Sequence, residues 1–495
     1  MKKKLFVFLI PIVLITISLL PRKENKELVS NTDNLVSFTV DGVESKTMPT
    51  KGSGYIANKI TCKNGSIITF DNDNYIIEVE KLESADACKI DFSKEKGSNT
   101  VTVTISNTNK IDSTSKTTTE GGKVVFYLTG EPESITGGEY TLSSNKLIVN
   151  NIISNINLNI TMSKTLYDQL LIDNSTIKTR TDFDTTFTET NTGTLYKATE
   201  SIAGNTPKDV YYFAGDAKNN WVKFGGFYWR IIRTNYDGSI RLLYSGTSHN
   251  TTAGYIGTSK FNTSTNDPMY VGYKYGTTDS LENNRLNTND STIKTYIDNW
   301  YINKFSANSG NYSSYISTEA VYCNDRELAS WATYNTGSRA FDYAPKGRLY
   351  TNKTPTYNCT NNKDAFSGSN SEAKLTYPIG LMTADEIAYA GGKVTTNLPS
   401  PYAWYYLNSS GVSITGSTTW WSLSPRDWGS GSSYIWVVAG SNSPGYLNNG
   451  YVGATSYGVR PVISLEKDVL WSGGNGSSSS PYKINYNKGH NGGAG

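Results

Sequence analysis

Histidine is almost absent from this 495-residue chain: His249 and His490 are the only two, and His490 lies in a Gly/Asn-rich tail. Most catalytic triads, zinc sites and general-base schemes draw on imidazole, whose charge changes near neutral pH. Its scarcity argues against an enzyme. Charge is also sparse: 18% of residues are charged and the net charge is +3. The basic residues are dispersed and never cluster with aromatics, which excludes a nucleic-acid footprint. Cysteine numbers four, with no C-x-x-C or C-x-x-H spacing, so no zinc site is expected.

Aromatic residues are plentiful, with 35 Tyr and 10 Trp, and they rule out a disordered chain although only 37% of residues are hydrophobic. Asn, Ser, Thr and Gly fill the remainder. That mixture suits short strands joined by many turns, so the expected fold is mostly β, with α+β character in the C-terminal part. The length exceeds what one core supports and predicts about three folded units.

The first residues, MKKKLFVFLIPIVLITISLL, place three lysines before an apolar run. The run spans about 24 Å, short of a ~30 Å bilayer but typical of an export signal. No small-residue cleavage site follows, so residues 1–21 are expected to stay as a membrane anchor. The rest of the chain then lies on the extracellular face, or is secreted if the segment is cleaved. Residues 22–35 read as a charged linker. Export to an oxidising compartment predicts disulfides, paired by proximity as Cys62–Cys88 and Cys323–Cys359. Each contributes about 3–4 kcal/mol through the unfolded state.

Residues 36–96 alternate like strands, with Asp41-Gly42, Asn64-Gly65 and the Asp71–Asn74 run as hairpin turns. The Asp71/Asp73 pair lacks the Gly and Glu of a calcium loop, so a turn is expected there. Residues 97–163 repeat the pattern and predict an immunoglobulin-like β module. Both modules read as a stalk. Residues 164–470 form the large domain, with helices expected over Ser163–Ile177, Asp290–Phe305 and Thr383–Ala390. Thr383 and Glu386 make a capping box there, and Gly391 suits the left-handed position beyond it. Residues 471–495 read as a flexible Gly/Ser/Asn-rich tail.

The run Thr418–Leu465 is the most informative. Its ends, WWSLSP and YGVRPVISL, are strand-forming scaffold. Its middle, Arg426–Ser456, is built from Gly, Ser, Asn, Tyr and Trp, the composition of antibody-like binding loops. Candidate ligand contacts are Asp427, Trp428, Tyr434, Trp436, Asn442, Tyr446, Asn448, Asn449 and Tyr451. Trp436 shares its alternation with Tyr434 and Val438, which equally suits a strand interior. Arg460 reads as a buried structural arginine, with Asp385 or Glu386 as candidate partners. Asp325-Arg326 reads as a turn beside Cys323 with a local ion pair.

Four pieces, YYFAGDAKNNWVKFGGFYWRIIR, LMTADEIAYAGG, WWSLSP and YGVRPVISL, resemble exported bacterial proteins whose C-terminal domain is similar to the formylglycine-generating-enzyme and C-type-lectin fold. Several members of that group are variable ligand-binding proteins of diversity-generating retroelements. The resemblance implies a hypervariable surface between Pro425 and Gly458. It also supplies a rival, an enzyme on the same fold; a structural envelope protein is a third reading that does not rest on the resemblance. The oxidases of that group use a closely spaced C-terminal cysteine pair, and this chain has no cysteine after Cys359. The calcium-binding motifs of sugar-binding lectins are missing as well. The expected function is therefore non-enzymatic recognition, without cofactor or metal. The partner is expected to be a protein or glycan on another cell, a phage or a host.

Overall fold

The computed structural model describes residues 35–94, 97–306 and 311–486. The expected membrane segment 1–21 and nearly all of the linker 22–35 lie outside the described residues. Among those described, no helix is long and apolar enough to cross a membrane. Strand accounts for 39% and helix for 13%, so the chain is mostly β. It divides into two compact units between Met162 and Ser163.

The first unit holds two separate apolar cores. In the first, Ile90 and Phe92 lie at the centre of a four-stranded sheet whose central strands, Leu35–Val40 and Ala87–Lys94, run parallel. Asp41 and Gly42, both at positive φ, turn the chain between Leu35–Val40 and Val43–Ser45. The Asp71 carboxylate accepts from the Asp73 and Asn74 amides, which closes the next hairpin and leaves a turn, not a calcium loop. Asn64-Gly65 makes no hairpin, because its flanking strands join different sheets. The Cys62–Cys88 disulfide ties neighbouring strands. In the second part, a four-stranded and a three-stranded sheet share the core of Val101, Phe126, Leu147 and Leu158.

In the second unit, α1 (Leu166–Asp173) opens with a Thr165/Asp168 capping box. A hairpin of β1 (Phe227–Thr234) and β2 (Ile240–Tyr244) turns through Asp237-Gly238, with Gly238 at φ +86°. Next comes α2 (Thr292–Tyr301), capped by Ser291, which buries Ile293, Ile297 and Tyr301 at the predicted spacing. The π turn Ile302–Ser306 ends it and drives Phe305 against Trp229 and Trp300. The short strand β3 (Phe341–Asp342) precedes α3 (Ala384–Ala390), whose Thr383/Glu386 capping box and left-handed Gly391 match the sequence signals. Every residue of α3 is buried.

Three antiparallel strands follow: β4 (Trp420–Gly429), β5 (Ser432–Val438) and β6 (Leu447–Tyr451), with β3 on the outer edge of β4. Strand β7 (Pro461–Leu465) then returns to pair with β2 in a second, ten-stranded sheet. Pro425 interrupts β4 where the register shifts, because proline has no N–H for the ladder. The second disulfide, Cys323–Cys359, lies in the long segment between α2 and α3.

The expectation of a flexible tail is corrected for the described residues. Trp471–Gly473 and Tyr482–Ile484 are strands of the ten-stranded sheet, and Tyr482 is buried beside Val222. The apolar residues between the Gly/Ser runs supply enough burial to hold the segment.

Candidate recognition surface

The sheet β3–β4–β5–β6 places four residues in one row. Asp342 pairs with Asp427, Asp427 with Tyr434, and Tyr434 with Tyr451. Directly paired residues of antiparallel strands project on the same face, so the row crosses the sheet as one stripe. The neighbouring row, Phe341–Trp428–Ser433, points to the other face and is buried. One face of the sheet is core and the other carries the stripe.

The stripe is built from ion pairs and rings. Lys346 lies between the two acids, 2.6 Å from Asp342 Oδ1 and 2.7 Å from Asp427 Oδ2. Arg426, the extra residue at the bulge, also contacts Asp427. The Tyr434 and Tyr451 rings tilt together at 6.1 Å, and the Tyr451 hydroxyl donates to Thr265 at 2.9 Å. At the far end the Trp331 indole donates to Asp342 at 3.3 Å while leaving 53% of the residue exposed. Tyr451 is 39% exposed. Two cations balance two acids here, so the surface is close to neutral and rich in aromatic area.

The sequence-predicted residues divide. Asp427, Tyr434, Asn449 and Tyr451 share the open face, Asn449 by its pairing with Trp436. Asn442 is exposed in the turn between β5 and β6. Tyr446 and Asn448 lie on the opposite register face, half-buried, where the Asn448 amide donates to the Tyr446 hydroxyl at 3.0 Å. Trp428 and Trp436 are corrected: both are core. Trp428 alternates inward with Phe341 and donates its indole N–H to Gly337. Trp436 has the register of Tyr434 but is 0% exposed, with the Arg426 guanidinium 4.9 Å over its ring. The two-residue strand β3 and its neighbours Trp331 and Lys346 were missed. Only the i,i+4 spacing of Asp342 and Lys346 could have signalled them.

A second concentration of charge lies in the interior. Glu386 pairs with Arg241 at 2.7 Å and Arg233 at 2.9 Å, and Arg233 also holds Glu200. Burial alone would raise the Glu386 carboxyl, but the two guanidinia hold it below its ordinary range. Arg348 bridges Asp325 and Asp385, while Arg326 and Arg285 share Asp364. Burial raises Asp325 above the usual carboxylate range. The pair expected to be local at Asp325-Arg326 is thus two separate long-range pairs. The cavity among these groups is about 20 Å³, room for a water and not for a substrate.

Among the described residues Arg460 meets no carboxylate, which corrects the expected pairing with Asp385 or Glu386. It donates to the carbonyls of Tyr244, Gly254 and Tyr405 and lies 4.7 Å over Trp420. Burial pulls its pKa down to about 9. It clamps the start of β7 to β2. Among the described residues the one grouping of metal-ligand types is Cys62, Asp86 and Cys88, and its cysteines are joined to each other.

No protein-family model matches the chain, and comparison with curated proteins and with solved structures finds no similar protein.

Proposed function

We propose that this chain is an exported, membrane-anchored recognition protein, and that its ligand rests on the open face of the β3–β4–β5–β6 sheet. The supporting observation is the cross-sheet row Asp342–Asp427–Tyr434–Tyr451, flanked by exposed Trp331. Tyrosine and tryptophan held rigid on strands supply large contact area at low entropic cost, the chemistry of protein and glycan recognition surfaces.

The finer fold reading agrees with this. The reading of a C-type-lectin-like domain draws support from the order of elements: the β1–β2 pair, helices α2 and α3, the antiparallel strands β4, β5 and β6, and β7 returning beside β2. The two small β modules, sandwich-like and the second immunoglobulin-like, serve as a stalk behind the anchor in residues 1–21. Two disulfides suit an extracellular location. The buried carboxylates Glu200, Glu386, Asp325, Asp364 and Asp385 are each held by arginine, which favours a binding protein over an enzyme.

The decisive experiment labels the full chain and scores its binding to a panel of bacterial, phage and host surfaces. It is compared there with a Trp331→Ser/Tyr434→Ser/Tyr451→Ser variant of equal melting temperature. Loss of binding in the variant is expected. Equal binding, or no binding to any surface, would count against the proposal. A near-repeat of the coding region for residues 418–465 beside a reverse transcriptase gene, differing at adenines, would add hypervariability to this reading.

A further inference from the structure

The large unit has a second concavity, formed by residues other than those of the sheet stripe. It is an open cleft of about 430 Å³ whose lining includes Asn235, Tyr236, Asp237, Glu319, Ser369 and Lys467. We infer that this cleft is a separate binding site for a neutral polyhydroxylated ligand, a mono- or disaccharide. Its volume falls within the ~300–1,000 Å³ of small-molecule sites.

Charge balance argues for a neutral occupant. Among the lining residues Asp237 and Glu319 are matched in number by Lys208 and Lys467, while Glu200 is taken by Arg233 at 2.9 Å. The formal charges that remain on the lining cancel. A cation is further disfavoured because both Asp237 oxygens are engaged, one by the Ser239 amide and the other by the Ser317 hydroxyl. No three ligand-type side chains converge there at metal distances among the described residues.

Hydrogen-bonding capacity points to hydroxyls. Asn235 is only 5% exposed; its Nδ2 donates to the Ser239 and Ser464 hydroxyls, and its Oδ1 has no partner. These bonds fix the Asn235 side chain before any ligand arrives. A sugar hydroxyl both donates and accepts, and so suits a lining that mixes carboxylates, amides and ammonium groups. The half-buried Tyr236 also lines the cleft, with the Lys208 ammonium 4.0 Å from its ring centroid. The wall is held in advance: the Asn370 amide donates to the carbonyls of Asn362 and Ala365. Such preorganisation reduces the entropy lost on binding.

Saturation-transfer NMR on the full chain tests this with glucose, galactose, mannose, N-acetylglucosamine, cellobiose, lactose and chitobiose. At least one sugar should give a transfer signal that Ser369→Trp abolishes by filling the mouth of the cleft. Ser369 is exposed, so this variant should melt with the parent. Glu319→Ala should weaken the same signal, and Tyr434→Ser/Tyr451→Ser should leave it intact. Silence from every sugar overturns the inference, as does a signal unchanged in Ser369→Trp. A signal lost only in the tyrosine variant would place the sugar on the sheet and overturn it too.

Discussion

Two charge clusters of the large unit use the same residue types to opposite ends. In the interior, Arg233, Arg241, Glu200 and Glu386 are almost wholly removed from water and lock α3 to β1 and β2. On the sheet, Lys346, Arg426, Asp342 and Asp427 make contacts of similar length but keep part of each side chain in water. Distance alone does not distinguish them; burial does. A buried charge that loses its partner bears the full desolvation cost, whereas a solvated pair contributes little. The interior cluster therefore acts as scaffold, and the sheet cluster can be exchanged without loss of the fold.

The largest effect should come from the interior. Glu386→Gln leaves Arg241 without a carboxylate, and denaturant unfolding should show a loss of about 3–5 kcal/mol. Trp436→Ala should cost a similar ~3–5 kcal/mol by opening a cavity. Tyr434→Ala, at the same register two residues away, should cost far less, and equal losses would break the distinction between the covered and open ends of β5. Smaller again is Lys346→Met, expected to cost less than about 1 kcal/mol by the same measurement. A loss as large as that of Glu386→Gln would mean that the sheet cluster is scaffold as well.

A separate effect is one of pH. Burial, aided by Asp237 and Asp468, raises the Glu466 carboxyl to about 7. A carboxyl raised in the folded state binds its proton more tightly there than when unfolded. Its contribution is therefore present below its unfolded pKa and lost as pH rises through 7. Melting temperature should climb between pH 7.5 and pH 5 in the parent, and less steeply in Glu466→Gln. Parallel profiles would refute the assignment.

Much of the scaffold was legible because its signals are short-range. The capping box at Thr383, the left-handed Gly391 and the nearest-neighbour disulfides each depend on residues close in sequence. The recognition face was legible in composition only. The alternation of β5 marks Tyr434 and Trp436 as sharing a face, but says nothing of Arg426 bulging out of β4 to cover one of them. Strand β3 is two residues long and carries no periodicity, so Asp342, and with it Lys346 and Trp331, could not be placed beside Asp427 in advance.

The sequence by itself determined the β-rich class, the helices with their caps, the disulfide partners and the strand-forming ends of the run from Thr418 to Leu465. These follow from backbone sterics and hydrophobic period within a few residues. Tertiary structure alone decided which tryptophans face water, that Arg460 is clamped by carbonyls where a carboxylate was expected, and that acids from β3 and β4 meet one lysine. Burial and partner choice depend on which strand lies alongside, and pairing across some 80 residues leaves no local trace.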